Sequence, residues 1–299
     1  MTTKINLNQI LAQATKFTFA KLTFLLGFLL LAEVVSAQSS RNFKSIEEAR
    51  TQPDSVQWLT LSNLNIKKFP SEILEFRNLR YLDLSSNHIT ELPGDIGRLK
   101  NLFYLDMSGN KIQQLPESLS EIKTLQNIYL NYNNVRSLDR DFQILSQLPM
   151  LRVLDLKGDG IVKLPASTGS LKSLEYLQLS NNQIEVLPKE FSDLRNLQVL
   201  YINNDTQFDL LKNIAILSKL PKLAELHLEG DQFKKIPDEI KELKNLESLH
   251  LRDNNLTELP EALKYLDKLK YVDVTNNRLP NILLDQYREN FPSTVKITF

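Results

Sequence analysis

The chain has 299 residues, with 36 basic and 36 acidic side chains. It therefore lacks the excess positive charge that drives nucleic-acid binding, and we expect no nucleic-acid partner. The absence of cysteine excludes disulfide bonds, thiolate zinc sites and cysteine nucleophiles.

Residues 1–37 predict a signal peptide. Basic residues up to Lys21 precede an apolar run over 22–32, and small residues then favour cleavage after Ala37. The apolar run is shorter than the roughly 20 residues that span a bilayer. We therefore expect a secreted, periplasmic or cell-envelope protein with no stable membrane span after cleavage. A retained N-terminal signal anchor is the alternative.

Residues 38–55 predict an N-terminal cap. Ser45 followed by Glu48 has the spacing of a capping box, which predicts a short helix that ends before Pro53. We expect this helix to cover the first strand of the segment that follows.

Residues 56–280 contain ten copies of the pattern Leu-x-x-Leu-x-Leu-x-x-Asn-x-Leu, mostly at a period of 23 residues. In the unit that begins at Leu79, Leu82 and Leu84 have the period-two spacing of a strand with both side chains pointing inward. Stacking of the units predicts a parallel sheet of about ten strands.

This pattern resembles the leucine-rich repeat family, in its 23-residue Leu-Pro type, and small exported bacterial members in particular. The resemblance implies an α/β solenoid, a horseshoe with a concave parallel β-sheet and short helices or 3-10 turns on the convex side. It also implies a helical N-terminal cap and a helix-strand cap over 281–299.

The ninth position of each unit is expected to form a ladder of asparagines, because an amide both donates and accepts hydrogen bonds between neighbouring turns. The ladder residues are Asn87, Asn110, Asn133, Asn182, Asn254 and Asn277. Leu64, Asp159, Asp205 and Asp231 depart from the pattern. An ionised aspartate cannot donate a hydrogen bond, so we expect these turns to be linked to their neighbours by fewer hydrogen bonds.

Two units, which begin at Leu125 and Leu197, are 26 residues long and share similar endings. Together with the units after them they form a duplication, 125–196 followed by 197–268. Their additional residues predict a helical turn on the convex side.

The resemblance implies that a partner binds the concave sheet, at the positions that flank the buried leucines. These positions carry aromatic and acidic residues that we take as the candidate partner-binding site: Trp58, Tyr81, Asp83, Tyr104, Asp106, Tyr129, Asp155, Tyr176, Tyr201, His227 and His250. Aromatic side chains of this kind are enriched in binding hot spots. The competing interpretation is that they serve only sheet propensity and solubility.

His227 and His250 occupy the same position in adjacent units, so their side chains should lie about 5 Å apart. With nearby carboxylates they could bind zinc or titrate as a pH-sensitive patch. The simpler interpretation is two exposed histidines, and we predict neither a metal nor a cofactor.

These observations predict a non-enzymatic binding module with no catalytic residues, which recognises a protein partner. The alternative is recognition of a glycan or cell-wall polymer by stacking on the aromatic residues. A metal-dependent enzyme at His227 and His250 is the least favoured hypothesis. The sequence specifies neither the partner nor an oligomeric state.

Overall fold

The computed structural model describes residues 41–299, apart from the side chains at positions 284, 285 and 288. The predicted signal peptide, 1–37, and the first residues of the predicted cap lie outside the described residues. In the part of the chain that is described, no helix is long and apolar enough to cross a membrane.

Each of the ten repeats contributes one strand of three residues. These strands are β2 (Trp58–Thr60), β3 (Tyr81–Asp83), β4 (Tyr104–Asp106), β5 (Asn127–Tyr129), β6 (Val153–Asp155), β7 (Tyr176–Gln178), β8 (Val199–Tyr201), β9 (Glu225–His227), β10 (Ser248–His250) and β11 (Tyr271–Asp273). They pair in chain order, all parallel, so equivalent positions of adjacent repeats are neighbours. The central residue of each strand is buried, which points the two flanking side chains at the opposite face.

A further strand lies at each end, giving a sheet of twelve strands within residues 41–299. At the C-terminal end, β12 (Lys296–Thr298) pairs with β11, which confirms the predicted closing strand. At the other end, β1 (Asn42–Phe43) pairs with β2. The expectation that a helix covers β2 was wrong, because a strand satisfies the backbone groups of a sheet edge directly.

The N-terminal helix α1 (Ile46–Arg50) begins as predicted, because the Ser45 hydroxyl accepts a hydrogen bond from the Glu48 amide over 3.1 Å. The two 26-residue units contain α2 (Leu138–Leu145) and α3 (Leu210–Leu217), which confirms the predicted convex helices. Helix α4 (Asn281–Asn290) precedes β12. The other convex segments are 3-10 helices: Ser71–Glu75, Ile96–Arg98, Glu117–Glu121, Ala166–Ser170, Lys189–Asp193, Asp238–Glu242 and Glu261–Tyr265, with Pro53–Ser55 before β2.

One apolar core fills the space between the sheet and the convex segments, from Phe43 to Phe291. The leucines of the repeat are almost completely buried, as at Leu82 and Leu84. Burial of each such side chain stabilises the folded chain by roughly 1.5–3 kcal/mol. The repeat pattern therefore determines the fold, while the residues between the leucines remain free to vary with function.

The ladder asparagines tie neighbouring repeats together. Asn110 Nδ2 donates to the Leu84 carbonyl (2.9 Å) and the Met107 carbonyl (3.0 Å), and its Oδ1 accepts from the Ile89 amide (2.9 Å). The same arrangement recurs at Asn87, Asn133, Asn182, Asn254 and Asn277, and Asn87 Oδ1 also accepts from the Leu64 amide over 3.0 Å. Each amide thus bridges two repeats and satisfies buried backbone groups.

The three ladder aspartates each accept one backbone N–H from the preceding repeat, as Asp205 Oδ2 does from the Ile184 amide (2.8 Å). The second carboxyl oxygen of each has no hydrogen-bond partner among the described residues. Burial raises the pKa of Asp159 to about 7 and that of Asp231 to about 8. Burial therefore shifts both groups toward the neutral carboxyl, and the expectation of ionised aspartates was wrong for Asp231 at neutral pH.

Candidate functional site on the concave sheet

The sheet places the candidate residues in two parallel columns, at the first and third positions of each strand. Register between adjacent strands aligns Trp58 with Tyr81, and Tyr81 with Tyr104. Neighbouring strands are about 4.8 Å apart, a spacing that allows planar side chains in one column to stack.

The first group of stacked rings, which we name the N-terminal aromatic row, comprises Trp58, Tyr81, Tyr104 and Tyr129. Ring centroids lie 4.1 Å apart for Trp58 and Tyr81, and 4.2 Å apart for Tyr81 and Tyr104. Tyr129 belongs to the neighbouring column and packs against Tyr104 at 5.0 Å in a tilted geometry. The row therefore crosses from one column to the other along β2 to β5.

The second group, the C-terminal aromatic row, comprises Tyr176, Tyr201, His227, His250 and Tyr271. Its centre is tightly stacked, with centroid distances of 3.7 Å for Tyr201 and His227 and 3.9 Å for His227 and His250. Its two ends are looser and tilted, at 5.2 Å for Tyr176 and Tyr201 and 5.4 Å for His250 and Tyr271.

Stacking within the rows changes what the aromatic residues offer a ligand. Both faces of Tyr81 are covered, one by Trp58 and the other by Tyr104. The half-buried side chains thus present ring edges and hydroxyl groups. Burial, with a smaller contribution from Asp83, raises the pKa of Tyr81 to about 12, so its phenol stays protonated at neutral pH.

The acidic residues beside the N-terminal aromatic row have a local structural role. Asp83 Oδ1 accepts from the amide and the hydroxyl of Ser85, at 2.9 and 2.6 Å, and Asp106 binds Ser108 in the same way. Burial raises the pKa of Asp106, and it raises the pKa of Asp155 to about 6. One oxygen of each carboxyl thus binds its own turn, and the second oxygen of Asp106 also accepts a long hydrogen bond from the Tyr104 hydroxyl at 3.5 Å.

The expectation that His227 and His250 are exposed was wrong. Each is only 5% exposed, because each ring is stacked between aromatic neighbours and contacts a buried carboxylate. The pair lies on β9 and β10, where the flanking positions of both strands are buried.

Two glutamates, Glu225 and the half-buried Glu229, complete this cluster; the sequence placed both near the histidines, although neither was among the candidate partner-binding residues. Glu225 Oε1 lies 2.8 Å from His227 Nε2 and 3.1 Å from His250 Nε2. Glu229 Oε1 lies 3.0 Å from His227 Nδ1. Burial opposes ionisation of Glu225, but the two histidines outweigh it and lower its pKa to about 2. The signal available in the sequence was the alternation of Glu225, His227 and Glu229 on one strand.

Burial also opposes protonation of His227, but its hydrogen bonds to Glu225 and Glu229 outweigh that effect and raise its pKa. The structure therefore assembles two chemically different regions on one face. One is an aromatic row beside aspartates, and the other is a group of two buried imidazoles, one buried carboxyl and one half-buried carboxyl.

Comparison with family models decides the relationship of this chain to known proteins. A model described as leucine-rich repeat region matches residues 59–139 and 130–227, and a second, described as leucine rich repeat, matches 221–279. The chain belongs to the leucine-rich repeat family. No curated protein sequence matches this leucine-rich repeat chain significantly.

Several solved structures resemble this leucine-rich repeat protein in fold. A structure of the TLR13–ssRNA13 complex is 24% identical, with a TM-score of 0.65, over 82% of this chain and 44% of that one. The leucine-rich repeat domain of the type III effector XopL is 23% identical, with a TM-score of 0.53, over 85% of this chain and 79% of that one.

A TDR receptor is 24% identical, with a TM-score of 0.54, over 76% of this chain and 40% of that one. This chain thus spans less than half of the TLR13 and TDR receptor chains. At these identities the likeness establishes the solenoid alone.

Proposed function

We propose that this leucine-rich repeat protein is an exported, non-enzymatic module that binds a protein partner through its concave sheet. The observation that carries the proposal is the pair of aromatic rows on that face. They give a rigid, amphipathic surface whose side chains are already ordered, which lowers the entropy lost on binding. Tyrosine and tryptophan edges with polar tips are typical of protein-binding hot spots.

The stacking favours a protein over a glycan. Sugar recognition by aromatic residues uses the flat face of the ring, and at Tyr81 both faces are occupied by neighbouring rings. Ring edges remain for the contacts that a polypeptide makes.

The charge of the face indicates the chemistry of the partner. Asp83, Asp106 and Asp155 lie along one column beside the N-terminal aromatic row. Each has one carboxyl oxygen that is not used by its own turn, and that of Asp106 accepts only a long hydrogen bond from the Tyr104 hydroxyl, at 3.5 Å. A partner segment with lysine or arginine side chains complements this column, because charge-assisted hydrogen bonds to carboxylates are the stronger kind.

Nucleic acid is the competing macromolecule, since a similar structure is a complex of TLR13 with single-stranded RNA. Our expectation of no nucleic-acid partner rests on the balanced charge of the chain. The column of Asp83, Asp106 and Asp155 also disfavours nucleic acid, because carboxylates repel phosphates. The open face offers no enclosure that would exclude water from a reaction, which supports binding rather than catalysis.

Site-specific photocrosslinking tests the proposal. A photoreactive residue at Ser85 probes the concave face, and the same residue at Leu211, which is 54% exposed on α3, is the matched convex control. We expect a protease-sensitive adduct from Ser85 and none from Leu211. An adduct that nuclease or glycosidase removes, or equal adducts from both positions, would overturn it.

Export has a separate test. Cleavage after Ala37 predicts that the protein released by a secreting cell begins at Gln38. Intact mass measurement distinguishes this product from a chain that retains residues 1–37, which is the outcome that a signal anchor predicts.

A further inference from the structure

We propose that Glu225, His227 and His250 form a binding site for one zinc ion on the concave face. The register of β9 and β10 places His227 directly beside His250, and Glu225 lies two residues before His227 on the same face. One potential ligand atom from each residue lies within 4.8 Å of the others. The three residues are 4–5% exposed, so an ion bound among them would be largely shielded from solvent.

The hydrogen bonds of this cluster are incomplete without a cation. Glu225 Oε1 faces both imidazoles, at 2.8 Å from His227 Nε2 and 3.1 Å from His250 Nε2. Despite that proximity, His250 Nε2 has no hydrogen bond of good geometry among the described residues, and neither has Glu229 Oε2. A buried imidazole nitrogen without a partner is costly, and its lone pair is available as a ligand.

The donor set and its spacing suit zinc. Histidine nitrogens and carboxylate oxygens bind Zn²⁺ at about 2.0–2.2 Å, which places the donors of a tetrahedral ion about 3.3 Å apart. The distances of 2.8 and 3.1 Å from Glu225 are close to that separation. Two histidines and one glutamate leave a fourth coordination position for water or for a group of a bound partner.

Metal-binding histidines usually donate a hydrogen bond from the ring nitrogen that does not bind the metal, and Glu229 is placed to accept such a bond from His227. Its Oε1 lies 3.0 Å from His227 Nδ1, so the carboxylate holds the proton on Nδ1 and leaves Nε2 as the ligand. Glu225 and Glu229 also bring two carboxyl groups into one partly buried cluster. A divalent cation offsets both carboxylate charges.

The ring geometry indicates which ligand must adjust. The rings of His227 and His250 are nearly parallel, 8° apart, so their lone pairs run side by side and do not converge on one point. Tyr201 stacks on the other side of His227 at 3.7 Å and holds that ring. On the far side of His250, Tyr271 is 5.4 Å away and tilted by 52°, which leaves His250 room to turn toward the ion.

Calorimetric titration of the tag-free protein with zinc chloride tests the proposal, and cobalt chloride provides a visible spectrum that reports coordination geometry. We expect one saturable ion per chain with a tetrahedral cobalt spectrum. Glu225→Gln and His250→Ala should abolish both signals. Glu229→Gln should weaken binding about 10- to 100-fold, as loss of an outer carboxylate does.

His88 is exposed and lies outside the cluster, so His88→Ala is the matched control and should bind as the wild type does. Circular dichroism verifies folding, and Glu225→Gln keeps the shape of the side chain. Absence of saturable binding to the wild type would overturn the proposal. So would unchanged affinity in folded Glu225→Gln and His250→Ala. Partner binding is measured separately, so neither result bears on the crosslinking test.

Discussion

The duplicated 26-residue units contain a natural comparison of asparagine with aspartate at one buried position. Asn133 and Asp205 are equivalent, and both accept a backbone N–H from the preceding repeat. Asn133 Nδ2 donates to the Leu130 carbonyl over 2.6 Å. Asp205 Oδ1 has no partner among the described residues, so the second copy lacks a bond that the first copy makes.

We therefore expect Asp205→Asn to stabilise the protein by about 1–3 kcal/mol at neutral pH, because the amide satisfies groups that the carboxyl leaves unpaired. Urea unfolding measures the change. Asn133→Asp is the reciprocal control and should destabilise by a similar amount. Unchanged midpoints for both variants would contradict the account of the ladder.

The raised pKa values of Asp159 and Asp231 predict a pH dependence of stability. Their folded pKa values, about 7 and about 8, lie above the ordinary value of 3.8. The folded chain thus holds protons that the unfolded chain has lost. The stabilisation is complete below about pH 4 and is lost as the pH rises toward 8.

Thermal unfolding between pH 5 and 8 measures this effect. The wild-type melting temperature should fall as the pH rises, and the double variant Asp159→Asn with Asp231→Asn should show a flatter profile. Equal slopes for the two proteins would show that these carboxyls are not the source.

At the scale of elements, the two convex α-helices differ in how they begin. The side chain of Asp209, the residue before α3, accepts a hydrogen bond from the Lys212 amide over 3.1 Å. Ser137, at the same position before α2, makes no side-chain capping bond. The two helices of the duplication therefore provide a matched pair.

Asp209→Ala should destabilise the protein by about 1 kcal/mol, the usual effect of losing an N-cap. Ser137→Ala should leave stability nearly unchanged. Chemical denaturation of both variants gives the comparison, and an equal loss in the two would refute the assignment of the cap.

The sequence predicted the elements where the repeat pattern is strong. The Leu-x-Leu pairs placed the ten strands β2 to β11, and the longer units placed the convex helices. Strand β1 escaped prediction because two residues carry no periodicity. The burial of His227 and His250 also escaped it, since that burial depends on Tyr201, Tyr271 and Glu225 from three different strands.

At the scale of the whole molecule, each repeat contacts its neighbours along the solenoid. A substitution that destabilises one repeat should therefore affect mainly the repeats next to it. Phe43 is 1% exposed and closes the N-terminal end of the core. Phe43→Ala should lower the free energy of unfolding by about 3–5 kcal/mol and accelerate amide hydrogen exchange mainly in β2 and β3. Uniform acceleration through β10 and β11 would indicate one cooperative unit instead.

The same architecture explains why function was harder to predict than fold. Buried leucines recur in every repeat, whereas the concave positions vary from Tyr and Asp on β3 and β4 to His and Glu on β9 and β10. The residue at a single concave position does not by itself predict a function. Its role depends on the stacking and the ion pairs that the sheet creates between repeats.

The claim that the concave face binds a protein partner is tested most directly by the affinity for the partner that crosslinking captures. The dissociation constant should rise at least about tenfold for Trp58→Ala, the size of a hot-spot loss, and for Asp83→Lys, which reverses a charge. Tyr265→Ala, at a tyrosine 61% exposed on the convex side, should bind as the wild type does. Equal affinity for all four proteins, or a loss only in Tyr265→Ala, would contradict the account.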